Sequence, residues 1–525
     1  VEVEIGFAGV HLFLSSVLKT INKNLAMKRN SQTRIVVWSV VFSLMTMVAA
    51  AQNVGDAVRY SQFEYGGTAR NVGVGNTMSS IGADLSAVVS NPAGLGMFRR
   101  SEYTVTPSLL SNNTSSRLLS GKGNAATADT RSAFNIHNFG VVFVTRPRSA
   151  KWTNLNFGIT INHLANYNRA FNFQGRSRGS LSQRFQELAN GGEGIEGFET
   201  SLADEASSIY DFDPANDGIY EVDYDLNPKA NLLRGQTLFS RGSLSEVGFS
   251  IAGNYDDKLS IGFSMNLPTT TYTSEKIYTE KDDSLAAGGA VPYFTDLKYQ
   301  ENLLTRGMGI NAKLGIIFKP NQNLRLSAAV HTPTVFAFND DYTYTLDNNY
   351  FSDRREQGDF LGKQAVREGT FSYTQTTPWR IMGGAGLIIG KQGFISTEIE
   401  HVNYSSNKFG YKDYQGAEEK VNVEISNQLK SVTNVRIGGE LVFSELRIRA
   451  GYGILPSVFQ NDDSRSTVVS AGIGYRKDDY FLDLAYRRTT TTEAYYPYLT
   501  QNAPLQEVEN KYTIGNVIFT LGVKF

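Results

Sequence analysis

The dominant pattern along the chain is alternation of apolar and polar residues with a period of two. Near the C-terminal end Val517, Phe519, Leu521, Val523 and Phe525 alternate with Asn516, Thr520, Gly522 and Lys524. Leu155, Phe157, Ile159 and Ile161 alternate with Asn156, Gly158, Thr160 and Asn162. Val247, Phe249 and Ile251 pass through Asn254-Tyr255-Asp256-Asp257-Lys258 into Leu259, Ile261, Phe263, Met265 and Leu267. Alternation of this kind predicts strands with one apolar face, and turn residues between two such runs predict a hairpin. The pattern places strands at 101–110, 134–146, 153–168, 236–255, 258–275, 303–319, 323–338, 374–389, 393–406, 431–443, 445–456, 466–476, 479–490 and 511–525. That makes fourteen, an even number, as single-chain bacterial barrels have.

The predicted connections alternate in length. Six are short turns, among them Lys319–Asn323, Gly390–Gly393, Ser444-Glu445 and Arg476–Asp479. Seven are longer: 111–133, 169–235, 276–302, 339–373, 407–430, 457–465 and 491–510. Short turns at one end and long loops at the other are the asymmetry of an outer-membrane β-barrel, whose short turns are periplasmic. A soluble sandwich does not predict it, and the lack of a fixed-period repeat argues against a propeller or solenoid.

Composition agrees. The chain has 525 residues, 12% of them aromatic, a net charge of −1 and no cysteine. One strand face meeting lipid and the other a polar lumen gives an average that looks soluble. The absence of cysteine excludes disulfides, thiolate metal sites and a cysteine nucleophile. The near-zero charge gives no reason to expect nucleic-acid binding.

Residues 27–51 read as a cleaved signal peptide. Lys28, Arg29 and Arg34 precede an apolar core from Ile35 to Val48, then Ala49-Ala50-Ala51. That core is too short for the ~20 residues of a spanning helix. Residues 1–26 lie upstream of Met27 and are read as a non-native extension.

Residues 52–100 carry no strand pattern and are rich in Gly, Ala, Ser and Asn. They end in Asn91-Pro92-Ala93-Gly94-Leu95, preceded by Gly82-Ala83-Asp84-Leu85-Ser86-Ala87. Asn can cap a turn, Pro fixes φ, and Gly allows close packing, as a compact plug requires. This stretch resembles the hatch of the FadL/TodX family of outer-membrane transporters. Further pieces, in order, are similar to hairpins of that family: Asn311–Pro320, Thr377-Pro378-Trp379-Arg380, Val435–Glu440 with Leu446–Tyr452, and Val469–Tyr475 with Leu482–Tyr486. The resemblance implies a barrel over 101–525 plugged by a hatch over 52–100, with Asn91, Pro92, Ala93, Gly94 and Leu95 in gating. It also implies passive uptake of small hydrophobic molecules such as long-chain fatty acids, captured by extracellular loops and released through a gap in the wall.

The longest loop offers the capture residues. Leu181, Phe185 and Leu188 share one face of a short helix, and Phe198 and Leu202 add apolar side chains to an acidic stretch. The alternative is that they only pack the loop against its neighbours. The terminal residues Phe519, Leu521, Val523 and Phe525 resemble the signal read by the barrel-assembly machinery. Expected partners are thus a hydrophobic ligand, outer-membrane lipid and that machinery. An alternative function is a non-transporting scaffold within an outer-membrane secretion or assembly complex; an apolar lumen pocket distinguishes transport from it.

Other chemistry is weak. Asp211–Gly218 is acidic, but Ala215 breaks the EF-hand ligand spacing. The histidines His137, His163, His331 and His401 fall on different predicted strands and do not point to haem. No Gly-x-Ser-x-Gly or His-Glu-x-x-His motif is present, so neither enzyme activity nor a cofactor or metal is expected.

Overall fold

The computed structural model describes residues 53–525 apart from 149–150, 212–217, 285–289, 352–359 and 413. The signal-peptide reading, residues 1–26 and most of the acidic Asp211–Gly218 stretch lie outside the described residues.

Strand segments along the chain are β1 (Glu102–Leu118), β2 (Thr127–Thr145), β3 (Trp152–Asn166), β4 (Arg169–Ser177), β5 (Leu232–Tyr255) and β6 (Leu259–Lys281). Then come β7 (Phe294–Phe318), β8 (Leu324–His331), β9 (Val335–Phe351), β10 (Phe360–Thr376), β11 (Arg380–Ile389) and β12 (Gly393–Asn403). The last are β13 (Lys408–Gly410), β14 (Ser431–Phe443), β15 (Leu446–Pro456), β16 (Arg465–Lys477), β17 (Tyr480–Tyr495) and β18 (Val508–Lys524). All pair antiparallel in one sheet, and β1 pairs with β18 from Glu102↔Lys524 to Leu118↔Val508, which closes the barrel.

Four pairs of segments are halves of single strands. β3 and β4 both pair with β5, and β8 and β9 both pair with β7. β10 and β11 likewise run along β9 and β8, and β12 and β13 along β11 and β10. The eighteen segments are therefore the fourteen strands of a closed barrel. Two of the four breaks follow from the sequence: Pro333 and Pro378 cannot donate to a ladder, so each interrupts its strand. Thr334 N donates to Thr377 Oγ1 at 2.9 Å and Thr377 N to Thr334 O at 3.0 Å, bridging the two breaks.

The outer face carries an apolar belt. On β6 Ile261, Phe263, Met265 and Leu267 point outward, followed by Thr269, Thr271 and Thr273. On β7 Phe318, Ile316, Leu314, Ile310 and Met308 do the same. Below the belt runs an aromatic girdle that includes Tyr103, Phe143, Trp152, Phe318, Tyr475 and Phe525, as at a membrane interface. Phe519 and Phe525 face outward, and Leu521 and Val523 share that face half-buried.

β5, β6 and β7, at 24, 23 and 25 residues, far exceed the about 9–11 needed for a crossing. Their long-loop halves rise beyond the belt. This corrects three predicted loops. Most of 111–133 belongs to β1 and β2, most of the described part of 276–302 to β6 and β7, and most of the described part of 339–373 to β9 and β10. Beyond the belt the exposed residues include Thr269, Thr271, Glu275, Lys363 and Glu368, so the regular apolar alternation that marks a strand is lost while pairing continues.

Inside the barrel the hatch forms helix α1 (Val54–Arg59), helix α2 (Ala69–Gly73) and a 3-10 turn over Pro92–Met97. Asn53 caps α1 in a reciprocal box with Asp56, and Thr68 caps α2 through Asn71 N. Loop 178–231 contains α3 (Leu181–Leu188) and α4 (Phe198–Glu205), and α5 (Gln415–Gln428) covers the mouth above α1. At the short-turn end Asp257 meets Arg99 and Lys319. Partial burial pushes its carboxyl up, but the two cations outweigh that and hold it below the usual range.

Candidate functional site

The hatch touches the wall in three ways. Its foot is the Asn91–Leu95 motif, at the short-turn end. Asn91 Oδ1 accepts from Ala93 N at 3.0 Å, and Asn91 Nδ2 donates to Ser79 O and Ile316 O at 3.1 Å. Ser260 Oγ donates to Ala93 O at 2.7 Å, and Asn156 Nδ2 to Leu95 O at 2.7 Å. Wall glycines make room: a Cβ at Gly262 would collide with the Pro92–Ala93 peptide, and one at Gly315 with Asn91.

The second contact is ionic. Glu400, 1% exposed, accepts from Arg380 at 2.7 Å, Arg436 at 2.9 Å, Asn434 at 3.0 Å and the hydroxyl of hatch Tyr65 at 2.7 Å. Glu440 takes hatch Arg70 at 3.1 Å and wall Arg449 at 2.6 Å, and Arg449 reaches Asp483 at 2.6 Å. Buried charges in this setting are tolerable only when paired, and here the pairs tie hatch to wall.

The third contact lies at an interruption in the wall. β2 pairs with β1 along nearly its whole length, but with β3 only from Asn138 to Thr145. Thr127–His137 thus have no ladder partner on the β3 side. The hatch takes up the edge of β3 beside this gap: Glu64 N donates to Leu164 O at 2.7 Å and Gly66 N to His163 O at 3.0 Å. A Cβ at Gly66 would strike His163 O. His137 and His163, both buried, stack beside it with centroids 5.4 Å apart. Gly66→Val is expected to detach this edge. The expected result is faster hydrogen exchange at Glu64–Gly67 with the rest of the barrel unchanged; unchanged exchange there contradicts the clip.

Above the hatch lies a cavity of about 380 Å³. Its floor is hatch: Gly55, Val58, Arg59, Gln62–Tyr65, Gly75 and Asn76. Its walls include Tyr167, Phe171, Leu238, Tyr272, Tyr495 and Tyr512, and it reaches the β3–β4 break at Ala165–Tyr167. Four arginines also line it, each matched. Arg59 pairs with Asp56 and lies 4.1 Å over the Tyr272 ring, and Arg487 meets Glu64 at 3.2 Å. Arg436 is held by Glu400, while Arg169 sits 3.8 Å from Glu493 and 5.1 Å over Tyr512. The cavity therefore offers aromatic surface with neutralised charge, suited to an apolar or amphipathic molecule.

The residues named from sequence fall elsewhere. Asn91, Pro92, Ala93, Gly94 and Leu95 are buried at the foot and do not line the cavity. Gly96 shows the close packing expected of such a motif, since a Cβ there would meet Ser260. Leu181, Phe185 and Leu202 are buried in a cluster with Leu297, Tyr299 and Leu346 on the rising strands. Leu188 and Phe198 are half-buried, and Phe198 packs edge-on to Tyr344 at 5.0 Å. The five pack the loop against its neighbours and line no part of the lumen cavity. His331 Nε2 donates to Ser90 O at 2.9 Å, and His401 meets Thr433 at 3.0 Å on the outer side. The cavity-lining segment Gly55–Asn76 was not legible as a site, because its partners on the wall are remote in sequence, from Ala165 onward. Its one local signal is the aromatic run Phe63-Glu64-Tyr65 ahead of Gly66-Gly67 in an otherwise small-residue stretch.

A closed fourteen-strand barrel with an outer apolar belt and a hatch in its lumen is the architecture of an outer-membrane β-barrel. The fold is that of the FadL/TodX barrels. The chain is similar to the Pseudomonas putida toluene transporter TodX at 14% identity, with a TM-score of 0.51 over 88% of this chain and 99% of that one. It is also similar to a Pseudomonas aeruginosa FadL homologue at 10% identity, with a TM-score of 0.50 over 89% of this chain and 99% of that one. No family model and no curated protein matches the sequence.

Proposed function

We propose that the protein is an outer-membrane channel for uptake of small hydrophobic molecules by passive, hatch-gated diffusion. The observation that carries this reading is the aromatic-lined cavity, floored by the hatch and reaching Ala165–Tyr167 at the β3–β4 break, beyond the part of β3 that pairs with β2. The likeness in fold to a toluene transporter and a FadL homologue supports it. Burial of apolar surface, at about 25 cal/mol per Å², supplies the driving force without nucleotide hydrolysis. A ligand enters from the long-loop side, rests above the hatch, and leaves sideways once Glu64–Gly67 releases the edge of β3. The Asn91–Leu95 foot is the pivot on which that upper edge moves. Matched arginines favour a neutral hydrocarbon; a long-chain fatty acid fits if its carboxylate displaces Glu493 from Arg169, the most loosely held of the four.

Gly453 lines the cavity, and a Cβ there has no neighbour nearer than 3.5 Å. Gly453→Trp therefore fills the cavity from an unstrained position. In cells lacking other such channels, uptake of labelled toluene and of labelled oleate is compared. Wild type is expected to accelerate at least one of them and Gly453→Trp to abolish the gain, while both migrate as folded barrels. Uptake of both no faster than in cells without the protein overturns the reading and favours the scaffold alternative.

A further inference from the structure

We propose that the short-turn rim is a collar that binds the phosphate headgroups of anionic phospholipids in the periplasmic leaflet. The basic side chains that the turns and strand ends there expose or half-expose include Arg99, Arg100, Arg146, Arg148 and Lys151 around the first three strands, and Lys258, Lys319, Lys391, Arg447 and Lys477 around the rest. Five acidic side chains share the rim: Asp256, Asp257, Glu445, Asp478 and Asp479. Three of these are already engaged. Asp257 holds Arg99 and Lys319, Asp479 holds Arg100 at 2.7 Å, and Asp256 holds Lys258 at 3.2 Å. Among the described residues neither Arg146 nor Arg148 has a carboxylate at ion-pair distance, and Arg146 donates only to Arg99 O at 3.5 Å.

The position of these charges selects the partner. Phe143, Trp152 and Phe525 form the aromatic girdle immediately above Arg146, Arg148 and Lys151, with Phe143 and Phe525 6.3 Å apart. Girdle aromatics mark the headgroup level, and arginine and lysine just beyond them extend their heads into it. The excess of positive charge follows the circumference of the barrel instead of forming one docking patch, which fits a ring of lipid and not a single protein. The opposite end has the reverse sign: the described residues of 178–231 contain ten acidic and three basic side chains. A fixed charge asymmetry of this kind is the electrostatic counterpart of an anionic inner face.

The full-length mature barrel would be placed in nanodiscs of phosphatidylglycerol and phosphatidylcholine in equal parts, and the lipids retained on mild detergent release counted by native mass spectrometry. Phosphatidylglycerol is expected to be enriched about threefold or more over the bulk ratio. In Arg146→Gln/Arg148→Gln that enrichment should fall by about half, with heat-modifiable migration unchanged. Adding Lys391→Gln and Lys477→Gln should bring it close to the bulk ratio. No enrichment in wild type, or the same enrichment in the fourfold variant, overturns the collar. Loss of a bound acidic periplasmic protein in the variants, with lipid enrichment unaltered, also overturns it and assigns the rim to that protein.

Discussion

Gly262→Leu is expected to lift the hatch from its seat and turn the plugged barrel into a conducting pore. The lumen-facing Gly262 lies against the Pro92–Ala93 peptide so closely that even a Cβ overlaps it. A leucine there cannot rotate away, because backbone and not a flexible side chain is the obstacle. The strand itself tolerates the change: Gly262 keeps an ordinary φ and pairs with Ala252 and Gly315 in the β5 and β7 ladders. Barrel formation is thus expected to survive while the foot is displaced. In planar bilayers the wild type should show rare, small currents and Gly262→Leu an order of magnitude more ion leak. Gly451→Leu, which would strike Gly75 on the opposite side of the hatch, should act the same way. Unchanged conductance in both variants, with folded barrels, contradicts a tightly seated hatch.

Glu400→Ala is expected to be the most destabilising single substitution in the lumen. It removes the common acceptor of two buried guanidiniums, one amide and the Tyr65 hydroxyl. Breaking a buried ion pair by deleting one partner costs about 3–5 kcal/mol, since the remaining charge is uncompensated. Glu400→Gln keeps the shape and part of the hydrogen bonding, and should cost roughly half as much. Urea titration of the barrel folded in lipid vesicles checks this through the midpoint, with the slope unchanged. A loss under about 1 kcal/mol for the alanine variant would mean that water or relaxation solvates Arg380 and Arg436. Because Tyr65 belongs to the hatch, the same variant should also loosen the cavity floor.

The barrel was legible wherever lipid imposes its alternation. Ile261-x-Phe263-x-Met265-x-Leu267 announces a strand because its outward face must be apolar. Residues 339–351 announce nothing, since both faces of β9 there are in polar or protein surroundings, yet their pairing with β7 and β10 is continuous. Pro333 and Pro378 are readable as strand breakers one at a time. That they fall side by side across the β8–β11 and β9–β10 ladders depends on register, which the local sequence does not specify.

The site was less legible for a related reason. Asn91–Leu95 stands out as a motif because tight packing restricts each residue, so it marks where the hatch is anchored. The cavity draws Tyr167 from the β3–β4 break, Tyr272 from β6, and Tyr495 and Tyr512 from β17 and β18, and each alone looks like an ordinary inward aromatic. The buried ionic contacts did leave a trace. Glu398-Ile399-Glu400 places charge on alternate positions of a membrane strand, where an inward charge needs a partner.

The central claim is that the cavity above the hatch holds a hydrophobic small molecule, and ligand recovery tests it most directly. The barrel would be purified in a detergent distinguishable by mass from cell lipids, and the molecules released on denaturation identified by mass spectrometry. The predicted result is a hydrophobe at near one per barrel from wild type and none from Gly453→Trp. A folded wild-type barrel that yields no such molecule, or the same yield from Gly453→Trp, would contradict the account.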